Sequence, residues 1–163
     1  MRRRTRAREC ALQILYQIDI TGDPVDLVLD RFWQSMKHNS EVLTFATQLV
    51  RGAYGNLVEI DGLIAGYSQH WKLDRMPIVD RCILRLAAYE LLYRDDIPPK
   101  VTINEAVELA HKYSTPDSGK FVNGVLDKLM ATNTRSSIPD LSFRLAKHET
   151  TKPRSYKDYK EID

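Results

Sequence analysis

Residues 78–129 read IVDRCILRLAAYELLYRDDIPPKVTINEAVELAHKYSTPDSGKFVNGVLDKL, and the punctuation of this stretch decides the fold class. Ile83, Leu84, Leu86, Ala87, Leu91 and Leu92 recur at helical spacing and predict a helix from about Pro77, a favoured first-turn residue, to about Tyr93. Pro98-Pro99 then breaks the chain, because proline lacks the amide hydrogen that a helix interior requires. Thr102 and Glu105 have capping-box spacing and predict a second helix, ending near Tyr113. Ser114 and Asp117 repeat that spacing, with Pro116 in the first turn. Phe121, Val122, Val125, Leu126 and Leu129 then form the inward stripe of a third helix, to about Met130. Val101-Thr102-Ile103 is the only short β-branched run, and the cap reading claims it for a helix.

Working outward, the same period governs the N-terminal half. Ala7, Cys10, Ala11, Ile14, Leu15 and Ile18 predict a helix from Thr5 or Arg6 that Gly22 and Pro24 end. Val25, Val28, Leu29, Phe32 and Trp33 predict a second over about 25–36. A third opens with Ser40 as N-cap and runs through Val42, Phe45, Ala46, Leu49, Val50, Ala53 and Leu57. Gly52 and Gly55 weaken it locally and suit a close helix approach; the pattern resumes through Ile60, Ile64 and Tyr67. The chain is therefore all-α, a helical bundle with short loops. From about Thr132 the periodicity is lost among Asn, Thr, Ser and Pro, and residues 132–163 are expected to be a polar, mobile tail.

A length of 163 residues suits one domain, and a composition 43% hydrophobic and 28% charged is that of a globule with a true core. No apolar run approaches the roughly 20 residues of a membrane span. The charged N-terminus has no apolar h-region, so no secretory signal is read and the cytoplasm is the expected location. Cys10 and Cys82 each fall on an apolar stripe and read as small buried hydrophobes rather than a disulfide or metal ligands.

Catalytic patterns are missing from the sequence. His38, His70, His111 and His148 are dispersed and none has metal-ligand spacing. There is no phosphate-binding GxxxxGK[ST] loop and no GxSxG. Gly119-Lys120-Phe121 reads as helix with a solvated lysine, and Gly119 has no evident local role. Asp95-Asp96 and the Glu105/Glu108 pair read as solvated-face acids. No enzyme, cofactor or metal is expected.

The net charge is only +2, yet residues 1–8 read MRRRTRAR, with Arg2, Arg3, Arg4, Arg6 and Arg8 and no acid. A basic arm on a near-neutral body points to a polyanionic partner. A short arginine run also occurs as a solubilising terminus. Two features favour binding. Guanidinium groups hydrogen-bond phosphate bidentately and stack on bases. The run also abuts a helix whose macrodipole its charge opposes, so the arm is expected to order only when phosphates neutralise it. Tyr16 lies off the apolar stripe, two turns from Arg8, where it either stacks an unpaired base or covers the core edge; Tyr67 carries the same two readings.

These residues resemble the NusB family. RRRTRARECALQILYQ is similar to the family's arginine-rich first helix, and ILRLAAYELLY, INEAVELA and KFVNGVLDK occur in order at family spacing. The resemblance covers about 1–131. It implies about seven helices in two small packed subdomains, about 1–70 and 77–131. It also implies binding of boxA-type single-stranded RNA from ribosomal RNA operons, pairing with NusE, a small-subunit ribosomal protein, and joining the RNA polymerase elongation complex with other Nus factors to suppress premature termination. By the same resemblance Arg2, Arg3, Arg4, Arg6, Arg8, Tyr16 and Tyr67 face RNA, with Asp117, Ser118, Lys120 and Phe121 at its edge; Phe121 also fits a packed face with Val125 and Leu129. Asp80, in the first turn of its helix, matches the NusE surface. Two alternatives remain: an accessory domain related to rRNA methyltransferases, and a self-associating protein, homodimer rather than monomer, with a masked RNA site. Too little chain follows residue 131 for a methyltransferase domain.

Overall fold

The computed structural model describes residues 2–68 and 72–132. Among them the chain forms α1 (Arg3–Thr21), α2 (Val25–Gln34), α3 (Ser40–Gly55), α4 (Leu57–Tyr67), a 3-10 turn (Leu73–Arg75), α5 (Ile78–Tyr93), α6 (Pro99–Tyr113) and α7 (Ser118–Thr132). The expected tail over 133–163 lies outside the described residues, as does His70. No helix is long and apolar enough to cross a membrane among the described residues.

Most predicted inward positions are buried, while Trp33, Leu57, Tyr67 and Phe121 are partly so. Ala7, Cys10, Ala11, Ile14, Leu15 and Ile18 of α1 are buried, as are Val122, Val125, Leu126 and Leu129 of α7. α5 goes further: every residue from Cys82 to Tyr93 is buried, not one face alone. Over that span its enclosed faces are apolar except for Arg85 and Glu90, and α5 packs against α1, α3, α4, α6 and α7. It is the axis on which both halves of the chain are assembled. Cys10 and Cys82 are buried and free.

Several boundaries differ from expectation, each for a local reason. The N-cap of α3 is Asn39, whose Oδ1 accepts from Glu41 N at 2.8 Å, and Ser40 is the first helical residue. Pro77 precedes α5 rather than opening it. α6 starts at Pro99, so Thr102 and Glu105 are interior and form no capping box; proline at N1 suits a helix start because that amide has no intrahelical partner. Thr102 instead donates to Glu90 Oε1 at 3.1 Å in the core. α7 begins at Ser118, so Ser114 and Asp117 do not frame a capping box; Asp117 directly precedes the helix, its carbonyl accepting from Phe121 N at 3.3 Å, and Pro116 lies in the turn before it. Gly22 closes α1 in the left-handed region (φ 68°), its amide donating to Ile18 O at 2.9 Å. The close approach expected at Gly52 is present: a Cβ there would stand 2.0 Å from the Tyr89 ring of α5.

Candidate nucleic-acid interface

The first two turns of α1 split into an outer and an inner face. α1 begins at Arg3, not at Thr5 or Arg6, so Arg3, Arg4, Arg6 and Arg8 are helical and Arg2 is the extended residue just before them. Protein acids supply counter-charge to Arg3, Arg4 and Arg6. Arg3 Nη1 is 2.8 Å from Glu41 Oε2 of α3, and Arg4 Nη2 is 3.5 Å from Asp96 Oδ2 of the α5–α6 connection. Arg6 Nη1 donates to Glu9 Oε2 at 3.1 Å. Arg2, Arg3 and Arg4 stay exposed and Arg6 half-exposed, so four of the five arginines present charge to solvent.

Arg8 does not. It is 3% exposed, and its Nε and Nη2 clasp Glu90 of α5, with Nη2 at 2.6 Å from Oε1 and Nε at 2.9 Å from Oε2. Nη1 lies 3.9 Å from Glu105 Oε1 of α6. The RNA-facing role expected of Arg8 is therefore withdrawn: its guanidinium is committed to a bidentate pair inside the core.

Sequence reading missed two further contributors. Lys112, at the end of α6, donates to Glu9 Oε1 at 2.6 Å and extends the basic face beside Arg6. Burial would raise the Glu9 carboxyl, but the hydrogen bonds from Lys112 and Arg6 outweigh it and hold the pKa low. Arg94, just past α5, lies 5.3 Å from the Phe45 ring centroid, with Arg4 at 4.6 Å from the same ring. Arg94 donates to both Asp96 oxygens, at 2.9 and 3.0 Å, which lowers the Asp96 pKa to about 2. Neither cation belongs to a basic run, so only the fold brings them to α1.

Tyr16 is 41% exposed on α1, as base stacking requires. Asp117 and Lys120 are exposed and Phe121 is half-buried against the core. The Tyr67 hydroxyl meets Thr132 Oγ1, at the last residue of α7. Along α7 that end is about 17 Å from Phe121, so Tyr67 and the start of α7 are separate places on the surface.

Ser118 and Asp80 are corrected together. Both are 3% exposed. Ser114 Oγ donates to Asp80 Oδ1 at 2.6 Å and Ser118 Oγ to Oδ2 at 2.9 Å, while Thr115 Oγ1 lies 2.8 Å from Ser118 Oγ. Asp80 fixes the α6–α7 connection onto the start of α5 and offers no carboxylate to a partner; Ser118 offers no hydroxyl to RNA. At Gly119 a Cβ would stand 2.3 Å from His111 Nε2, so a side chain there would require the exposed imidazole to move.

An all-helical bundle with a cluster of exposed arginines at one helix start defines a small binding protein directed at polyanions. The NusB family model matches residues 5–131. A transcription antitermination protein NusB from an Anaeromyxobacter species is 55% identical over 130 residues, covering 79% of this chain and 90% of that protein. Among solved structures, T. maritima NusB superposes with a TM-score of 0.74 at 37% identity, covering 89% of this chain and 99% of that one. A crystal structure of antitermination factors NusB and NusE in complex with dsRNA gives 0.72 at 32% identity, covering 81% and 98%. The chain belongs to the NusB family.

Proposed function

We propose that this protein is an RNA-binding antitermination adaptor that grips single-stranded boxA-type RNA of ribosomal RNA operons together with NusE and helps RNA polymerase read through premature terminators. The role is regulatory, not catalytic. The observation that carries it is the exposed cluster of Arg3, Arg4 and Arg6 on α1, with Arg2 just before it and Lys112 beside it. Guanidiniums fixed on a helix bind phosphate oxygens without base preference. Tyr16, exposed on the same helix, supplies a face for an unpaired base. Lys120 and Asp117 line a second edge, with Phe121 behind them. A likeness to a complex of NusB, NusE and RNA supports both partners.

The test is fluorescence anisotropy of boxA-type single-stranded RNA, a scrambled strand and a duplex, each with and without NusE. Preference for boxA that tightens with NusE is the expected result. Equal binding to boxA and scrambled strands in both conditions would leave a generic basic arm and end the proposal. Because that solved complex contains double-stranded RNA, preference for the duplex would replace the single-strand reading with a duplex-binding one.

A further inference from the structure

Two acids from different elements converge on the exposed arginines. Glu41, in the first turn of α3, holds Arg3 at 2.8 Å, and Asp96, in the α5–α6 connection, holds Arg4 at 3.5 Å. Neither acid is a sequence neighbour of the arm, so the fold delivers both. Asp96 is held in turn by Arg94, whose Nη1 also donates to Gln48 Oε1 at 3.0 Å. Arg3, Arg4, Ser40, Glu41 and Thr44 line an open recess of about 310 Å³. A phosphate entering it meets cations that already have carboxylate partners.

We propose that Glu41 and Asp96 are latches that compete with RNA phosphate for Arg3 and Arg4 and hold the affinity of the arm below what its cations alone would give. The inference rests on the arm being the RNA-binding element. An exposed ion pair is weak, so each latch is expected to change affinity by about two- to fivefold. That suffices to tune a regulatory complex without abolishing it.

The experiment titrates a short fluorescein-labelled single-stranded boxA-type RNA with the full chain at fixed low salt. Glu41→Gln and Asp96→Asn are each expected to tighten binding by about two- to fivefold. Asp74→Asn is the charge control. It makes the same change in net charge, but Asp74 is exposed in the 3-10 turn next to Leu73, whose carbonyl accepts from Arg81. Arg81 also pairs with Asp19, about 24 Å along α1 from Arg3. Its affinity is expected to stay at the wild-type value. The gain from Glu41→Gln should vanish in an Arg3→Ala background, which a merely structural role for Glu41 would not produce. If the two acid variants tighten binding no more than Asp74→Asn while Arg3→Ala/Arg4→Ala weakens it, the latches are wrong and the arm stands. If Arg3→Ala/Arg4→Ala leaves binding unchanged, the arm and the latches fall together.

Discussion

Arg4 and Arg8 sit one helical turn apart on α1 and live in opposite environments. Arg4 has half its side chain in water, beside an acid 3.5 Å away. Arg8 has a side chain 4% exposed and holds a carboxylate that is 2% exposed. Water screens the first pair, so it contributes little to stability and leaves its cation available. The second pair has lost its hydration, and each charge depends on the other. The same residue type therefore serves binding at one position and assembly at the other. What separates the two roles is burial, not chemistry.

The largest effect should come from breaking the buried clasp. Arg8→Ala removes the bidentate partner of an enclosed carboxylate, to which Thr102 still donates, and is expected to cost about 3–5 kcal/mol of stability. Replacing both partners, Arg8→Met with Glu90→Leu, should restore most of it, since an apolar pair avoids the desolvation cost. Chemical denaturation of the two variants decides the matter: if the double variant is no more stable than Arg8→Ala, the clasp is not the reason for the loss.

On the exposed side the expectation inverts. Arg2→Ala/Arg3→Ala/Arg4→Ala should alter stability by no more than about 1 kcal/mol but weaken RNA binding. Each lost phosphate contact on a single strand flattens the slope of log affinity against log salt by about 0.7, so three together should flatten it by about 2. An unchanged slope would show that these arginines contact no phosphate. Tyr16→Ala is the uncharged counterpart. It should weaken binding by roughly 1–3 kcal/mol through lost stacking and leave the slope as it was. A slope change without loss of affinity would remove Tyr16 from the stacking role.

The helices were readable because burial follows the 3.6-residue period, and the stripes of α1, α5 and α7 state it openly. The division among the arginines was not read from the sequence, where all five were expected to face RNA. Arg8 is three, four and seven residues before Ala11, Leu12 and Leu15, which puts it on the inward stripe. Glu90 bears the same relation to Ala87, Leu86 and Ile83 on α5. Exposed Arg4, however, stands three and seven residues before Ala7 and Ala11, so spacing alone does not separate the buried arginine from the exposed ones. Nor could any local pattern reveal that Ser114 and Ser118 close on Asp80, or that Glu41 and Asp96 meet the arm. Those contacts join residues more than thirty positions apart and arise only when the helices pack. The capping boxes failed because α6 starts earlier than expected, at Pro99, and α7 later, at Ser118; Thr102 and Ser114 donate instead to carboxylates elsewhere in the fold.

The smallest effect tests Arg94, which stands between the two environments, its side chain 18% exposed. Its hydrogen bonds are the main cause of the low Asp96 pKa, burial opposes them, and Arg4 adds a lesser Coulombic contribution. The folded value, about 2, lies below the ordinary carboxylate range. The stabilisation from this pair is thus complete above that range and is lost as pH falls through about 2. Carboxyl carbon chemical shifts followed against pH should give that midpoint for Asp96. Arg94→Ala should raise it toward the ordinary range, and Arg4→Ala should raise it less. If Arg4→Ala moves the midpoint as far as Arg94→Ala does, Asp96 belongs as much to the arm as to the body of the protein. Its role as a latch would then be stronger, and the division between exposed and buried arginines less sharp, than the distances of 3.5 Å and 2.9 Å imply.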